Sequence, residues 1–349
     1  MPDLLKPDER GLWCAAGGFH VDPWKPVPLA LITHAHSDHA RSGSARFVAA
    51  AASVPFLKLR LAAGSVIDGL AWGERVRFGD VWVSFHPAGH IRGSAQIRVE
   101  SGDEVWVVSG DYKRASDPTC EAFEVVPCTT FITEATFGLP IYRWNRSEET
   151  AAEIADWWRE CRERGRTAVL FTYSLGKAQR VLGELGALAG RETGAAWMND
   201  RPVLLHGATL PLTEAYRADG VKMLPYEGAT IDEVGRKRRK VEPGGLAIAP
   251  PSAAGSPWMR RFGAADDYET GFASGWMRVR GIRRRRGYDR GFVLSDHVDW
   301  PDLMRTVEET GAKRVLVTHG NSETVAAYLR ERGLDAVPLQ TGFASEEEE

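Results

Sequence analysis

The chain has 349 residues, and 44 Lys and Arg against 47 Asp and Glu leave a formal net charge of −3, which singles out no anionic partner. That length suits roughly two domains with a sizeable core. No apolar run approaches the ~18–20 residues of a membrane helix, no basic stretch leads into an apolar one at the start, and Cys14, Cys120, Cys128 and Cys161 form no Cys-x-x-Cys pair. A soluble, cytoplasmic protein with free thiols is therefore the expectation, not a disulfide scaffold, a cysteine zinc site or a membrane protein.

In chain order, short Val/Ile/Phe-rich runs end on small or polar residues, as buried strands do. PLALIT runs into His34, VWVSF leads through HPAGH to His90, EVWVVSG ends at Asp111, and TTFIT ends at Glu134. The middle, residues 143–293, alternates helix and strand: EETAAEIADWWRECRERG, TAVLFTYSLGKAQRVLGEL, RPVLLHG and GLAIAPPSAAGSP. GFVLS then leads to Asp296 and His297, PDLMRTVEETG reads as a helix stopped by Gly311, RVLVT ends at His319, and SETVAAYLRERG is a last helix. The organisation expected is an α/β domain interrupted by a second α/β domain. Ligands gather beyond the carboxyl ends of strands in open α/β sheets. His34, His90, Asp111, Glu134, His297 and His319 all hold that place, so they converge if the strands share a sheet edge.

LITHAHSDHA (Leu31 to Ala40) puts three of the nine histidines on one turn with Asp38. Imidazole and carboxylate at this density point to a bound hard or borderline metal. Cationic islands stand at RKRRK (Arg236 to Lys240) and RVRGIRRRRGYDR (Arg278 to Arg290), and Glu346 to Glu349 form an acidic, solvated tail. Arg283, Arg284, Arg285 and Arg286 beside Tyr288 fit phosphate neutralisation with a stacking aromatic, or else a solvated edge strand or loop. FTYSLGKAQR offers a strand–turn–helix start at which Ser174, Lys177 and backbone N–H groups could meet a phosphate. Lys113, two residues past Asp111, is a further contact for the reacting phosphate. The twelve tryptophans are expected mostly in the core.

THAHSDH resembles the H-x-H-x-D-H signature of the metallo-β-lactamase fold; Gly89-His90, SGD at Asp111, and Asp22 in FHVDPW resemble its other motifs. TEATFG (Thr133 to Gly138), SDHVDW (Ser295 to Trp300) and LVTHG (Leu316 to Gly320) resemble the A, B and C motifs of the β-CASP nucleases, and among these the chain is most similar to the bacterial ligase-associated DNA exonucleases. The resemblance implies an αββα sandwich at residues 1–142 and 294–349 with a nucleic-acid-binding β-CASP insert at 143–293. It implies two divalent ions, Zn²⁺ by default with Mn²⁺ or Fe²⁺ open. His34, His36 and His90 would hold one, Asp38, His39 and His319 the other, Asp111 would bridge them, and Asp22 would orient a ligand from behind. Two such ions, ~3.5–4 Å apart, serve phosphodiester hydrolysis. The catalytic set is Asp38 together with His297, as general acid or oxyanion stabiliser, and Glu134, which orients it.

The function implied is a DNA-repair exonuclease working from the 5′ end, alongside a DNA ligase and a helicase. Artemis-type DNA nucleases generally lack the motif C histidine that RNA-processing members carry, and His319 is present, so an RNA-processing endo- or exonuclease is the alternative. A thioester or lactone hydrolase would need neither Glu134, His297 nor the arginine run. A non-catalytic nucleic-acid scaffold would be expected to have lost ligands, and none is missing.

Overall fold

The computed structural model describes residues 3–191, 193–229 and 241–340. The Arg236–Lys240 island and the Glu346–Glu349 tail lie outside the described residues. The chain divides into two compact units, the first made of Met1–Ser116, Cys120–Arg143 and Asp296–Glu349, the second of Asp117–Thr119 and Trp144–Ser295. No helix among the described residues is long and apolar enough to cross a membrane.

The first unit holds two sheets. One has six strands in the spatial order Lys6–Pro7, Leu12–Cys14, Phe19–Val21, Leu29–Ile32, Arg46–Ala50 and Ile67–Leu70. The other has seven: Asp335–Pro338, Arg314–Thr318, Thr130–Glu134, Glu104–Val108, Ala95–Ser101, Val81–Pro87 and Val76–Phe78. Its first four are parallel and the remainder antiparallel. Side chains alternate across a strand, and the seven-stranded sheet uses both faces. Phe85, Ile97, Trp106, Ile132 and Leu316 meet Phe19, Leu31 and Val48 of the other sheet. Val107, Phe131, Val315 and Val317 point the opposite way, onto Leu303 and Val307 of the Trp300–Thr310 helix and Val325 and Leu329 of the Ser322–Glu331 helix.

The Trp300–Thr310 helix has the signals its sequence suggests. Asp299 accepts the Asp302 N–H at 3.0 Å, Pro301 occupies the first turn, and Gly311 closes it at φ 68° in the left-handed region.

The second unit is built on an all-parallel sheet in the order Tyr226–Gly228, Val203–Leu205, Leu246–Ala249, Thr167–Phe171, Tyr268–Ala273 and Arg290–Phe292. Leu170 and Ile248 face Trp158 and Leu182, while Val169, Phe171 and Ala247 face Met259 and Phe262. Cover on both faces explains why these strands read as unbroken apolar runs. One expectation is corrected here. The strands that end on polar groups do not share one sheet edge: Leu29–Ile32, before His34, lies in the six-stranded sheet, those leading to His90, Asp111, Glu134 and His319 lie in the seven-stranded sheet, and Arg290–Phe292 of GFVLS pairs with Gly271–Ala273 in the sheet of the second unit. His297 lies beyond it, in the first unit.

Phe85 is fully buried between the two sheets of the first unit. Phe85→Ala is expected to destabilise that unit by roughly 3–5 kcal/mol, read as a lower denaturant midpoint; a loss below about 1 kcal/mol would show that the sheets do not share one core.

Candidate metal centre

The turn after Leu29–Ile32 carries the first four polar groups. His34 and His39 are buried, whereas His36, Ser37 and Asp38 are half-buried, giving a closed floor and an accessible rim. His90 follows the Val81–Pro87 strand, Asp111 the Glu104–Val108 strand and His319 the Arg314–Thr318 strand. All converge. His36 Nδ1 lies 3.2 Å from His34 Nε2 and 3.1 Å from His90 Nε2. Asp111 Oδ2 is 3.3 Å from His34 Nε2, 3.5 Å from His39 Nε2 and 3.7 Å from His90 Nε2. His39 Nε2 is 3.4 Å from Asp38 Oδ2, and the His39 and His319 rings stack at 5.5 Å.

Ligand atoms close enough to share one ion come from His34, His36, His90 and Asp111, and from Asp38, His39 and His319. Nitrogen bound to zinc at ~2.0–2.1 Å in a tetrahedron sits ~3.3 Å from its neighbouring ligands, so the spacing seen fits a divalent ion. A nitrogen and oxygen donor set without thiolate suits Zn²⁺, Mn²⁺ or Fe²⁺.

Groups behind the cluster fix which nitrogen each ring turns inward. His39 Nδ1 donates to Asp22 Oδ2 at 2.8 Å. Asp22 also accepts the Thr33 N–H at 2.8 Å and the Thr33 hydroxyl at 2.6 Å. With its proton committed to Asp22, Thr33 Oγ1 accepts from His34 Nδ1 at 3.1 Å. His90 Nδ1 donates to the Asp296 carbonyl at 2.9 Å, and His319 Nδ1 lies 3.0 Å from Thr318 Oγ1. Each bond leaves Nε2 of its ring to face the centre. Asp22 at φ 42° and His319 at φ 58° are the two non-glycine residues of positive φ among the described residues. Such strain persists only where surrounding bonds over-determine it. Gly110, before Asp111, has φ 55°, and a Cβ there would stand 2.7 Å from Thr33 Cβ, so only glycine lets this strand end approach the Asp22–Thr33 pair.

The electrostatics of the metal-free cluster are those of a cation site. Burial first, then neighbouring imidazoles, holds His34 and His90 well below the ordinary histidine range. Burial also opposes charge on His39, but Asp38, Asp111 and Asp22 outweigh it and push the group up to about 10. Burial, helped by Glu134 and Asp38 and opposed by His39 and His297, raises Asp111 to about 8. Asp38 is lowered: burial works against this, and His39, His36 and His319 prevail.

A second buried pair adjoins the cluster. His297 Nδ1 donates to Glu134 at 2.9 Å (Oε2) and 3.1 Å (Oε1), and Oε1 also accepts the Tyr112 N–H at 2.8 Å. The His90 and His297 rings lie 4.6 Å apart, and ligand atoms of Asp111, Glu134 and His297 fall within reach of one another.

The remaining candidates fall elsewhere. Lys113 is buried, close enough to Asp302 to favour that carboxyl's charged form, although burial and Asp299 still raise it. Ser174, Lys177 and the arginine run belong to the second unit. Lys177 is 1% exposed with its ammonium 4.6 Å from the Tyr173 ring centroid, and the Gly176 N–H is bound by Gln179 Oε1 at 2.7 Å. Lys177 and the Gly176 N–H are thus committed internally, while Ser174 is half-buried and its hydroxyl accepts from the Thr209 hydroxyl at 3.2 Å. Arg283 to Arg285 lie in the Arg280–Arg285 helix, which corrects the edge-strand or loop expectation, and Arg284, Arg285 and Arg286 are exposed. Tyr288 is stacked on Phe272 at 5.0 Å, so its face is already occupied. Thr33 and the Asp296 carbonyl were missed by sequence reading; a backbone acceptor carries no residue-type signal.

The site is thus a buried histidine and carboxylate centre of metal-binding composition on a mixed α/β protein. No protein-family model matches the chain. It is 32% identical over 329 residues, 94% of its length, to a probable DNA ligase of Opitutus terrae, and 33% identical over 109 residues, 30% of its length, to the transcription termination factor FttA of Methanosarcina mazei. The chain spans 30% of the first relative and 17% of the second. Among solved structures it is similar to a protein of unknown function from Enterococcus faecalis, with a TM-score of 0.55 at 11% identity, covering 83% of this chain and 74% of that one. Both curated relatives carry names tied to nucleic acid.

Two outcomes test the centre. His39 keeps its proton through neutral pH in the metal-free chain and must lose it to act as a ligand, so uptake of Zn²⁺ is expected to release protons and to tighten as pH rises. Calorimetry in buffers of different ionisation enthalpy reads this directly; identical heats would contradict it. Asp22→Asn removes the acceptor behind His39 and is expected to weaken metal binding about 10–100-fold against a chromophoric chelator. Unaltered affinity would reduce Asp22 to a turn residue.

Proposed function

We propose that the chain is a metal-dependent phosphodiesterase that acts on DNA as an exonuclease, working from the 5′ end in repair. In this reading, residues 1–142 and 294–349 are a metallo-β-lactamase-like catalytic domain and residues 143–293 a β-CASP insert that holds the strand. His34, His36 and His90 would hold one divalent ion, Asp38, His39 and His319 the other, with Asp111 between them. Such ions, when bound, neutralise charge on the phosphate and acidify water near neutral pH.

The observation that carries the proposal is the buried Glu134–His297 pair beside the centre. Hydrolysis of a phosphodiester expels an alkoxide, which needs a proton. With its Nδ1–H donated to Glu134, His297 delivers a proton only as the imidazolium, from Nε2, and the Tyr112 N–H keeps the Glu134 carboxylate in place to stabilise that cation. A thioester hydrolase, whose thiolate departs without protonation, has no such requirement. The choice of DNA is supported by the relative named as a probable DNA ligase, to which nearly the whole chain aligns. That alignment also makes a DNA ligase the first partner to test, and a helicase the second. RNA is the other substrate class, favoured by His319 and by the shorter match to a transcription termination factor.

His297→Ala is expected to lower cleavage of end-labelled DNA by about 10²–10⁴-fold while metal content, read by elemental analysis, stays at the wild-type ratio. Full activity in this variant would remove His297 from the reaction, and lost metal would make it a ligand instead.

A further inference from the structure

The second unit contains a recess of about 510 Å³ lined by Met277, Arg278, Arg280, Arg284 and Tyr288. That size lies within the ~300–1,000 Å³ usual for small-ligand sites. The three arginines are exposed, and among the described residues none pairs with a carboxylate. The neighbouring acid is committed elsewhere: Asp289 accepts the Thr270 N–H at 2.8 Å and its hydroxyl at 2.6 Å. Arg290, a few residues on, does find partners, Glu160 at 2.8 Å and Glu269 at 3.8 Å. Arg280 and Arg284 stand four apart in the same short helix, where like charges oppose helix formation.

The floor is apolar and firm. Met277 is buried, and Tyr288 packs on Phe272 at 5.0 Å and Phe171 at 5.2 Å. Guanidinium forks match phosphate oxygens in pairs, and Met277 and Tyr288 set apolar surface beside them for the sugar of a strand, with no free aromatic face for stacking. Arg285 and Arg286 extend the exposed positive charge beyond the recess, with Arg286 lying 5.7 Å over the Phe272 ring.

We propose that the Arg278–Arg280–Arg284 recess binds one nucleotide unit of a single strand through its backbone phosphates, giving the enzyme a strand-holding subsite that the metal centre does not provide. This rests on the nucleic-acid reading above but not on hydrolysis. Arg278 and Arg280 belong to it, although the sequence draws attention to the Arg283–Arg286 run.

The experiment is fluorescence anisotropy of a labelled single-stranded oligonucleotide with the full chain, as purified and after chelation, across a salt series. Arg280→Gln with Arg284→Gln is compared with Lys58→Gln and Lys313→Gln, an equal charge loss at exposed positions elsewhere. Loss of two phosphate contacts is expected to reduce the log–log salt slope by about 1.4, at ~0.7 per contact, and to weaken binding about tenfold or more at low salt, with an unchanged melting temperature. A slope equal to that of the lysine control would overturn the proposal. So would competition by adenosine monophosphate or polyglutamate at the strand's own affinity, which would make the recess a mononucleotide or acidic-peptide site. Binding is read without turnover, so a chain that binds but never cleaves would sink the nuclease reading and leave the recess standing.

Discussion

The centre depends on one carboxylate. Asp22 accepts from the Thr33 N–H, the Thr33 hydroxyl and His39 Nδ1, all inside a buried turn, and holds a left-handed backbone to do so. Through Thr33 the same group reaches His34. Two of the three imidazoles whose Nε2 lies 3.3–3.7 Å from Asp111 Oδ2 therefore take their orientation from one anion, and Gly110 is glycine because a side chain there would strike Thr33. Ring orientation decides which lone pair faces a metal, so this bond network sets the chemistry more directly than the ligand count does.

Burial adds the second constraint. A floor of His34, His39, His90 and Asp111 has little water with which to spread charge, so its groups shift in opposite directions: His34 and His90 resist protons, whereas His39 and Asp111 hold them. A divalent cation resolves this conflict, which is the physical sense in which the cluster resembles an ion site more than a structural core. The rim of His36, Asp38 and His319 is half-buried, so solvent reaches the cluster from that side.

Much of this was legible in the sequence because strand ends and polar residues are local signals. His34, His90, Asp111, Glu134 and His319 each follow an apolar run that became a strand of the first unit. His297 shows where the pattern misleads: its preceding strand belongs to the sheet of the second unit, and strand membership is a long-range property. The Ser174–Lys177 turn misled differently. A lysine at a helix start looks available to a phosphate until packing puts it against Tyr173 and gives the Gly176 N–H to Gln179. The arginine run was visible as charge, but its helical spacing and the inclusion of Arg278 and Arg280 in one recess appear only in three dimensions.

The two relatives share part of their length with this chain and carry names tied to nucleic acid, and in the function proposed here the buried Glu134–His297 pair would supply the proton that a poor leaving group needs. The most direct measurement is product analysis with Mn²⁺- or Zn²⁺-loaded protein on matched, end-labelled single-stranded and duplex DNA and RNA. Metal-dependent release of mononucleotides from DNA is the result predicted. Inert nucleic acid of every form, with turnover only of small acyl substrates, would contradict it.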